Sequence, residues 1–110
     1  MIARVFRALA SGATGVSDIP IRMPSANVQA LIDMSVGATP TITVNLEGSP
    51  DGTNWFASAT GTFTTAGLQK LVKPAGEIYE YYRLNITANT NVTVNNGWII
   101  GSEEITATSF

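Results

Sequence analysis

The chain contains no cysteine and no histidine. The first absence rules out disulfides and thiolate metal sites, so stability has to come from a packed core or from neighbouring chains, and the redox compartment stays open. The second removes the usual general base near neutral pH, the commonest metal ligand and the usual pH switch. With both missing, Ser-His, Cys-His and zinc chemistry have no residues to use. Charge is scarce as well. Only 13% of the 110 residues are charged, against about a quarter in an average soluble domain. Six Lys and Arg against eight Asp and Glu leave a net charge of -2. Nucleic-acid binding draws its affinity from a basic footprint that this chain lacks, so no nucleic-acid partner is expected. No apolar run approaches the roughly 20 residues that a membrane-crossing helix needs, and none is expected to span or anchor in a membrane. Arg4 and Arg7 interrupt the stretch 1–13 that superficially resembles a signal peptide, so export by that route is not expected. The Asn-X-Thr sequons at Asn85 and Asn91 are accordingly read as carrying no glycan.

What the chain does have is apolar content and uncharged polar side chains. At 45% hydrophobic, 110 residues suffice for one domain that buries about two-thirds of its unfolded surface around a single core. Thr, Ser and Asn are abundant, which gives a surface suited to extensive contact with other protein.

Along the chain, residues 1–18 stand apart: a basic, apolar start runs into Ser11-Gly12-Ala13-Thr14-Gly15, and this reads as an N-terminal arm followed by a flexible hinge. An amphipathic helix over residues 2–9 would be too short to persist without a partner. Residues 19–110 read as one β domain. Ile19-Pro20-Ile21-Arg22-Met23-Pro24 is an extended edge segment, because proline biases the residue before it away from the helical region. From Asn27 to Val36 the apolar Val28, Ala30, Ile32, Met34 and Val36 alternate with Gln29, Leu31, Asp33 and Ser35, the mark of a strand with one buried face. Ile42, Val44 and Leu46 alternate in the same way with Thr41, Thr43, Asn45 and Glu47. Gly48-Ser49-Pro50-Asp51-Gly52-Thr53-Asn54 is a tight turn. The β-branched stretch from Trp55 to Thr65 predicts a strand with a bulge or break at Gly61. Leu68, Leu71 and Val72 form a strand or one helical turn before Pro74-Ala75-Gly76. Tyr79 to Thr87 and Val92 to Ile100 are strands, with Ala88-Asn89-Thr90-Asn91 as a hairpin turn between them and a bulge or corner at Asn95-Asn96-Gly97. Short strands, short connections and no helical periodicity predict an all-β fold: a single antiparallel β-sandwich, jelly-roll-like, with an extended N-terminal arm.

The candidate sites are few. Glu77 with Glu80, and Glu103 with Glu104, are the available carboxylate pairs, but adjacent residues on a strand face opposite ways and cannot flank one bond. They read as surface. Asp51 and Asn54 could offer oxygen to calcium, yet the spacing fits no complete calcium loop, and turn chemistry explains the same residues. No catalytic, metal or cofactor site is expected. Tyr79 and Tyr81 would share one face with Tyr82 on the other, so one set belongs in the core or in a subunit interface. Trp55 and Trp98 have the flat apolar rings that stack on sugars. Ile2, Val5, Phe6 and Leu9, with Arg4 and Arg7, form an apolar, basic element without a core of its own, a candidate for docking on a partner.

Three stretches carry a resemblance: Val44-Asn45-Leu46-Glu47-Gly48-Ser49-Pro50-Asp51-Gly52-Thr53-Asn54-Trp55, then Tyr82-Arg83-Leu84-Asn85-Ile86-Thr87, then Asn91-Val92-Thr93-Val94. Within residues 28–100 they resemble small β-sandwich structural proteins of tailed bacteriophages, and by size and arm the chain is most similar to capsid decoration or cement proteins. That resemblance implies a virion protein, made in the host cytoplasm. It would sit as a homotrimer on the outer surface of the shell, with the major capsid protein as its partner, and would reinforce it. It brings no catalytic residues. The other reading it allows is a head-fibre, tail or receptor-binding module that recognises host glycans through exposed aromatics such as Trp55. If the arm is what docks, removing residues 1–18 would leave a folded domain that no longer binds its shell.

Overall fold

The computed structural model describes residues 2–6, 8–17, 20–22, 27–74 and 76–102. Two long strands organise it. β4 (Asn27–Ser49) and β7 (Tyr81–Ser102) pair antiparallel along their whole length, from Asn27 opposite Ser102 to Ser49 opposite Tyr81. A straight ribbon would leave both its faces in water, and this one folds back on itself. Leu84 Cδ1 lies 3.5 Å from where a Cβ on Gly97 would sit, although thirteen positions of straight strand would span roughly 43 Å. The bend falls where Gly37, Ala38, Thr39 and Pro40 stand opposite the single residue Asn91. Thr39 and Asn91 take positive φ values of 45° and 55° there, a conformation that asparagine tolerates and a β-branched residue resists. Side chains hold the corner: the Asn91 amide donates to the Ala38 carbonyl at 2.7 Å. The Asn89 amide nitrogen donates to the Val92 carbonyl at 2.9 Å, and its oxygen accepts from the Val92 N–H at 3.1 Å. The turn-forming residues 88–91 therefore bend a continuous strand, and the hairpin expected there is absent. Likewise the two strands expected at 27–36 and 41–47 are halves of β4.

The other strands flank this folded ribbon. β1 (Ile2–Phe6) pairs with the second half of β7, and β6 (Gly67–Val72) with the first half of β4. β2 (Gly15–Val16) and β3 (Ile21–Arg22) pair with the first half of β7, and β5 (Phe56–Phe63) with the second half of β4. One layer thus has the order β1, β7, β4, β6; the other has β2 and β3 together, then β7, β4, β5. The chain crosses between layers along a single wrapped ribbon, which is the arrangement of a jelly roll. The fold is all-β and antiparallel, with no helix among the described residues. One core lies between the layers: Val28, Ala30, Ile32, Met34, Val92, Val94 and Ile99 from the first meet Ile42, Val44, Leu46, Tyr82, Leu84 and Ile86 from the second. The alternation read from β4 holds through both halves, since period 2 sends every second side chain inward.

Bulges decide the exceptions. Between β1 and β7 the register steps from Arg4–Trp98 to Phe6–Gly97, leaving Val5 as the extra residue. Both Val5 and Phe6 then enter the core, at 8% and 7% exposure, because a bulge lets two consecutive residues share a side. This corrects the arm: residues 2–6 are an integral strand, and Leu9 bridges to Val94 with hydrogen bonds of 2.7 and 3.0 Å and packs on the core. Ser17 is buried against Leu84, donating its N–H to the Leu84 carbonyl at 2.8 Å and accepting from the Leu84 N–H at 3.1 Å. An apolar N-terminus had looked partnerless because its partner lies some ninety positions later in the same chain. The bulge near Gly61 lies instead at Ser58, where Leu46 pairs Ala59 and Glu47 pairs Ala57. The one expected at Asn95-Asn96-Gly97 is present, with Asn95 the unpaired residue.

One end of the sandwich is closed by the connection from Val72 to Tyr81. Lys73 is buried and donates through Nζ to the carbonyls of Pro74 (2.8 Å) and Glu77; burial holds its pKa below the ordinary 10.5. The Tyr79 ring stacks on Phe56 with centroids 6.3 Å apart and meets Tyr82 edge-on at 6.0 Å. It occupies the space over Gly48, where a Cβ would overlap the ring. Among the described residues no buried side-chain nitrogen or oxygen lacks a hydrogen-bond partner.

Two substitutions test this arrangement. Phe6→Ala should cost about 3–5 kcal/mol in denaturant unfolding, the usual loss for emptying an aromatic core site; a frayed arm would cost almost nothing. Gly48→Ala should cost about 1–3 kcal/mol by overpacking and should expose Tyr79, read as a shift in its near-ultraviolet signal.

Candidate functional site

A sandwich has two outer faces, and here they differ in kind. Residues directly opposite each other in neighbouring strands share a face, so the register gives the outer surface of the β1, β7, β4, β6 layer row by row. Its three central rows are Ile2, Ile100, Gln29 and Val72; then Arg4, Trp98, Leu31 and Lys70; then Asn96, Asp33 and Leu68, with the polar Asn27 before them and Ser35 opposite Thr93 beyond them. Six of the eleven central positions are large and apolar. Ile2, Leu68 and Val72 are 68%, 60% and 57% exposed, while Leu31, Trp98 and Ile100 are half-buried among them; Phe56, Ile78 and Val16 are exposed elsewhere on the molecule. From strand and residue spacings these eleven positions cover on the order of 300–400 Å², roughly half of it apolar, and contiguous apolar patches of a few hundred Å² are commonly functional. At one corner, an open cleft of about 200 Å³ is lined by Asn27, Val28, Gln29, Val72, Lys73 and Ile100. That is below the range of small-molecule pockets.

The opposite outer face is polar apart from the exposed Val16, which stands beside Asn85. Thr43, Asn45 and Glu47 of β4 lie beside Thr60 and Thr62 of β5 and Asn85 and Arg83 of β7. Thr60 Oγ1 donates to Asn45 Oδ1 at 2.7 Å. Glu47, 8% exposed, accepts from Arg83 Nε at 2.7 Å on one oxygen and from Asn85 Nδ2 at 3.1 Å on the other. The Arg83 guanidinium also lies 4.3 Å over the Trp55 ring, so the Trp55 side chain is half-buried with one ring face taken. The following turn is built around Asp51, whose carboxylate accepts from the Thr53 and Asn54 N–H groups (both 2.8 Å), from Asn54 Nδ2 (2.7 Å) and from Ser49 Oγ (3.0 Å). These bonds, led by the Asn54 and Thr53 backbone, hold its pKa well below the ordinary 3.8. Asp51 and Asn54 are thus engaged with their own turn. No group of acidic residues suited to a metal ion occurs among the described residues.

The structure divides the residues singled out for partner contact. Ile2 and Arg4 lie on the apolar face, Val5 and Phe6 point the other way into the core, and Leu9 packs at its margin. Arg7, Glu103 and Glu104 lie outside the described residues. Glu77 accepts from the hydroxyls of Ser58 (3.3 Å) and Tyr79 (3.2 Å), and Glu80 pairs with Arg22; the two carboxylates serve separate partners. Tyr82 is buried, with burial raising its pKa, and its phenol oxygen accepts the Tyr79 N–H at 3.0 Å. What the sequence reading missed on the apolar face is Leu31, Leu68, Val72, Trp98 and Ile100 as one surface. The signal was available in Leu31, an apolar residue on the polar phase of β4. The neighbours that complete the surface come from strands whose register the sequence does not state.

The polar face makes two predictions. Arg83→Met should cost about 1–3 kcal/mol, because Glu47 would keep a buried carboxylate with a single donor. For Asp51 the folded-state pKa lies below the unfolded one, so its contribution is whole above pH 3.8 and is lost as pH falls further. The gap in melting temperature between wild type and Asp51→Asn should therefore be constant at neutral pH and close in acid. No family model matches the chain and no curated protein matches it significantly.

Proposed function

We propose that this chain is a virion structural protein of the decoration or cement type. In this reading it acts by binding, lays the apolar face of its first layer on the outer surface of the major capsid shell, and stabilises contacts between capsid subunits. The observation that carries the reading is the contrast between the two outer faces: Ile2, Leu31, Leu68, Val72, Trp98 and Ile100 are gathered on one, while the other closes its polar groups on one another. The jelly-roll arrangement adds support by analogy alone, since viral capsid and lectin domains both use it.

A stable pair of proteins buries about 800 Å² on each side, roughly twice the apolar face. One copy docked through this face alone binds modestly, so stable occupancy needs contact area beyond the apolar rows. Arg4, Lys70 and Asp33 around the apolar centre supply a polar rim that sets orientation. The low charge of the chain lowers the desolvation cost of covering the remaining surface.

The test is co-sedimentation with undecorated capsid shells of the phage whose genome carries this sequence. Wild type should pellet with the shells and raise the temperature at which they rupture. Leu68→Asp with Val72→Asp should fold, judged by an unchanged melting curve, and lose roughly tenfold or more in binding, as expected when charges are buried unpaired in an interface. Full binding by that variant would remove this face from the mechanism.

A further inference from the structure

A jelly roll leaves four strand edges open, and an open edge is a template for another strand unless something blunts it. Three of the four carry the usual protection. β1 has Arg4 and a bulge at Val5. β6 has the exposed Lys70. β2 and β3 are two residues each, with Pro20 and Arg22 between and within them. β5 has none of these devices along its outer half. Its eight residues, Phe56-Ala57-Ser58-Ala59-Thr60-Gly61-Thr62-Phe63, hold no charge and no proline. Its one bulge sits at Ser58, so that 59–63 run regularly against β4. Among the described residues no strand pairs with its other side.

We infer that β5 is a self-association edge: the β5 strands of two copies pair antiparallel about a two-fold axis and extend the polar layer of one molecule into that of the next. A second copy is the occupant the residues favour. An uncharged strand offers nothing to a charged partner, and its own image brings no like charge against it. With the axis at Gly61, each Thr60 stands opposite a Thr62 on the outer face and each Ala59 opposite a Phe63 on the inner one. Faces match because the Ser58 bulge lies outside this window. Two-fold pairing of identical strands is self-limiting: it makes dimers and consumes the edge. The apolar faces of both copies stay free, so the inference stands or falls independently of shell binding; it puts a dimer in place of the homotrimer that the resemblance implies.

Sedimentation velocity of the full chain over a range of concentrations should show a monomer–dimer equilibrium. Amide exchange at residues 59–63 should slow as concentration rises, with amides of β6 unaffected. The double substitution Thr60→Lys and Thr62→Lys sets like charges across the axis, and it should weaken the dimer roughly tenfold or more at low salt, with partial recovery at high salt. A monomer at every concentration, a trimer, or exchange at 59–63 that ignores concentration would overturn the inference. The exchange measurement on wild type decides the matter even if the double variant fails to fold.

Discussion

Everything in this molecule depends on one pairing, that of β4 with β7, and on the two strands bending at the same point. If β4 bent at residues 37–40 while β7 stayed straight, the ladder would part beyond Val36 and Val92. If neither bent, the alternating apolar residues of each would face water. The bend needs a residue on β7 that accepts positive φ, supplied by Asn91, and surplus backbone on β4, supplied by the four residues opposite it. Asn89 then bonds across the corner to Val92 and also to the Ala13 carbonyl at 2.9 Å, so the loop from β1 to β2 is tied to the same corner. Two layers, one core and the flanking positions of β1, β2, β3, β5 and β6 follow from that fold in the ribbon.

Because a single pair of strands runs through both layers, the inner and outer phases of β4 and β7 set the character of both outer surfaces. Inward positions are apolar in each half, as a common core requires. Outward positions are free to differ, and they do: Leu31, Trp98 and Ile100 in one half, Asn45, Glu47, Arg83 and Asn85 in the other. The polar half pairs its groups internally, with a nearly buried carboxylate satisfied by an arginine and an amide, so it presents little that a partner must desolvate. In the apolar half, among the described residues, one outward side-chain contact joins β4 and β7: Asn95 Nδ2 donates to Ser35 Oγ at 2.9 Å. The asymmetry begins in the sequence of these two strands, and β1 and β6 extend it with Ile2, Leu68 and Val72.

Most of the inner pattern was legible beforehand. Val28 through Met34 and Ile42 through Leu46 declare their phase by simple alternation, and the turn at Ser49 to Asn54 declares itself through residues that bond their own backbone. Three things were not legible, each for a physical reason. Ala88 to Asn91 has the composition of a hairpin, and composition cannot distinguish a chain reversal from a corner in a continuous strand. Val5 and Phe6 break alternation because a bulge puts both inside, so β1 read as an arm. The apolar face is assembled from four strands that are distant in sequence, and its membership depends on register, which a one-residue slip would invert.

The long pairing also governs the order in which the chain can fold. β5 and β6 lie near β4 in sequence and can add to it early, whereas Asn27 must wait for Ser102 and Ile2 for Ile100. Contacts that close such large loops are slow to form. During synthesis the first eighty residues hold ten of the sixteen buried core residues, with the apolar phase of β4 uncovered until β7 emerges. A chain built in this way is most vulnerable to misassociation just before completion, while the strand that covers β4 is still missing.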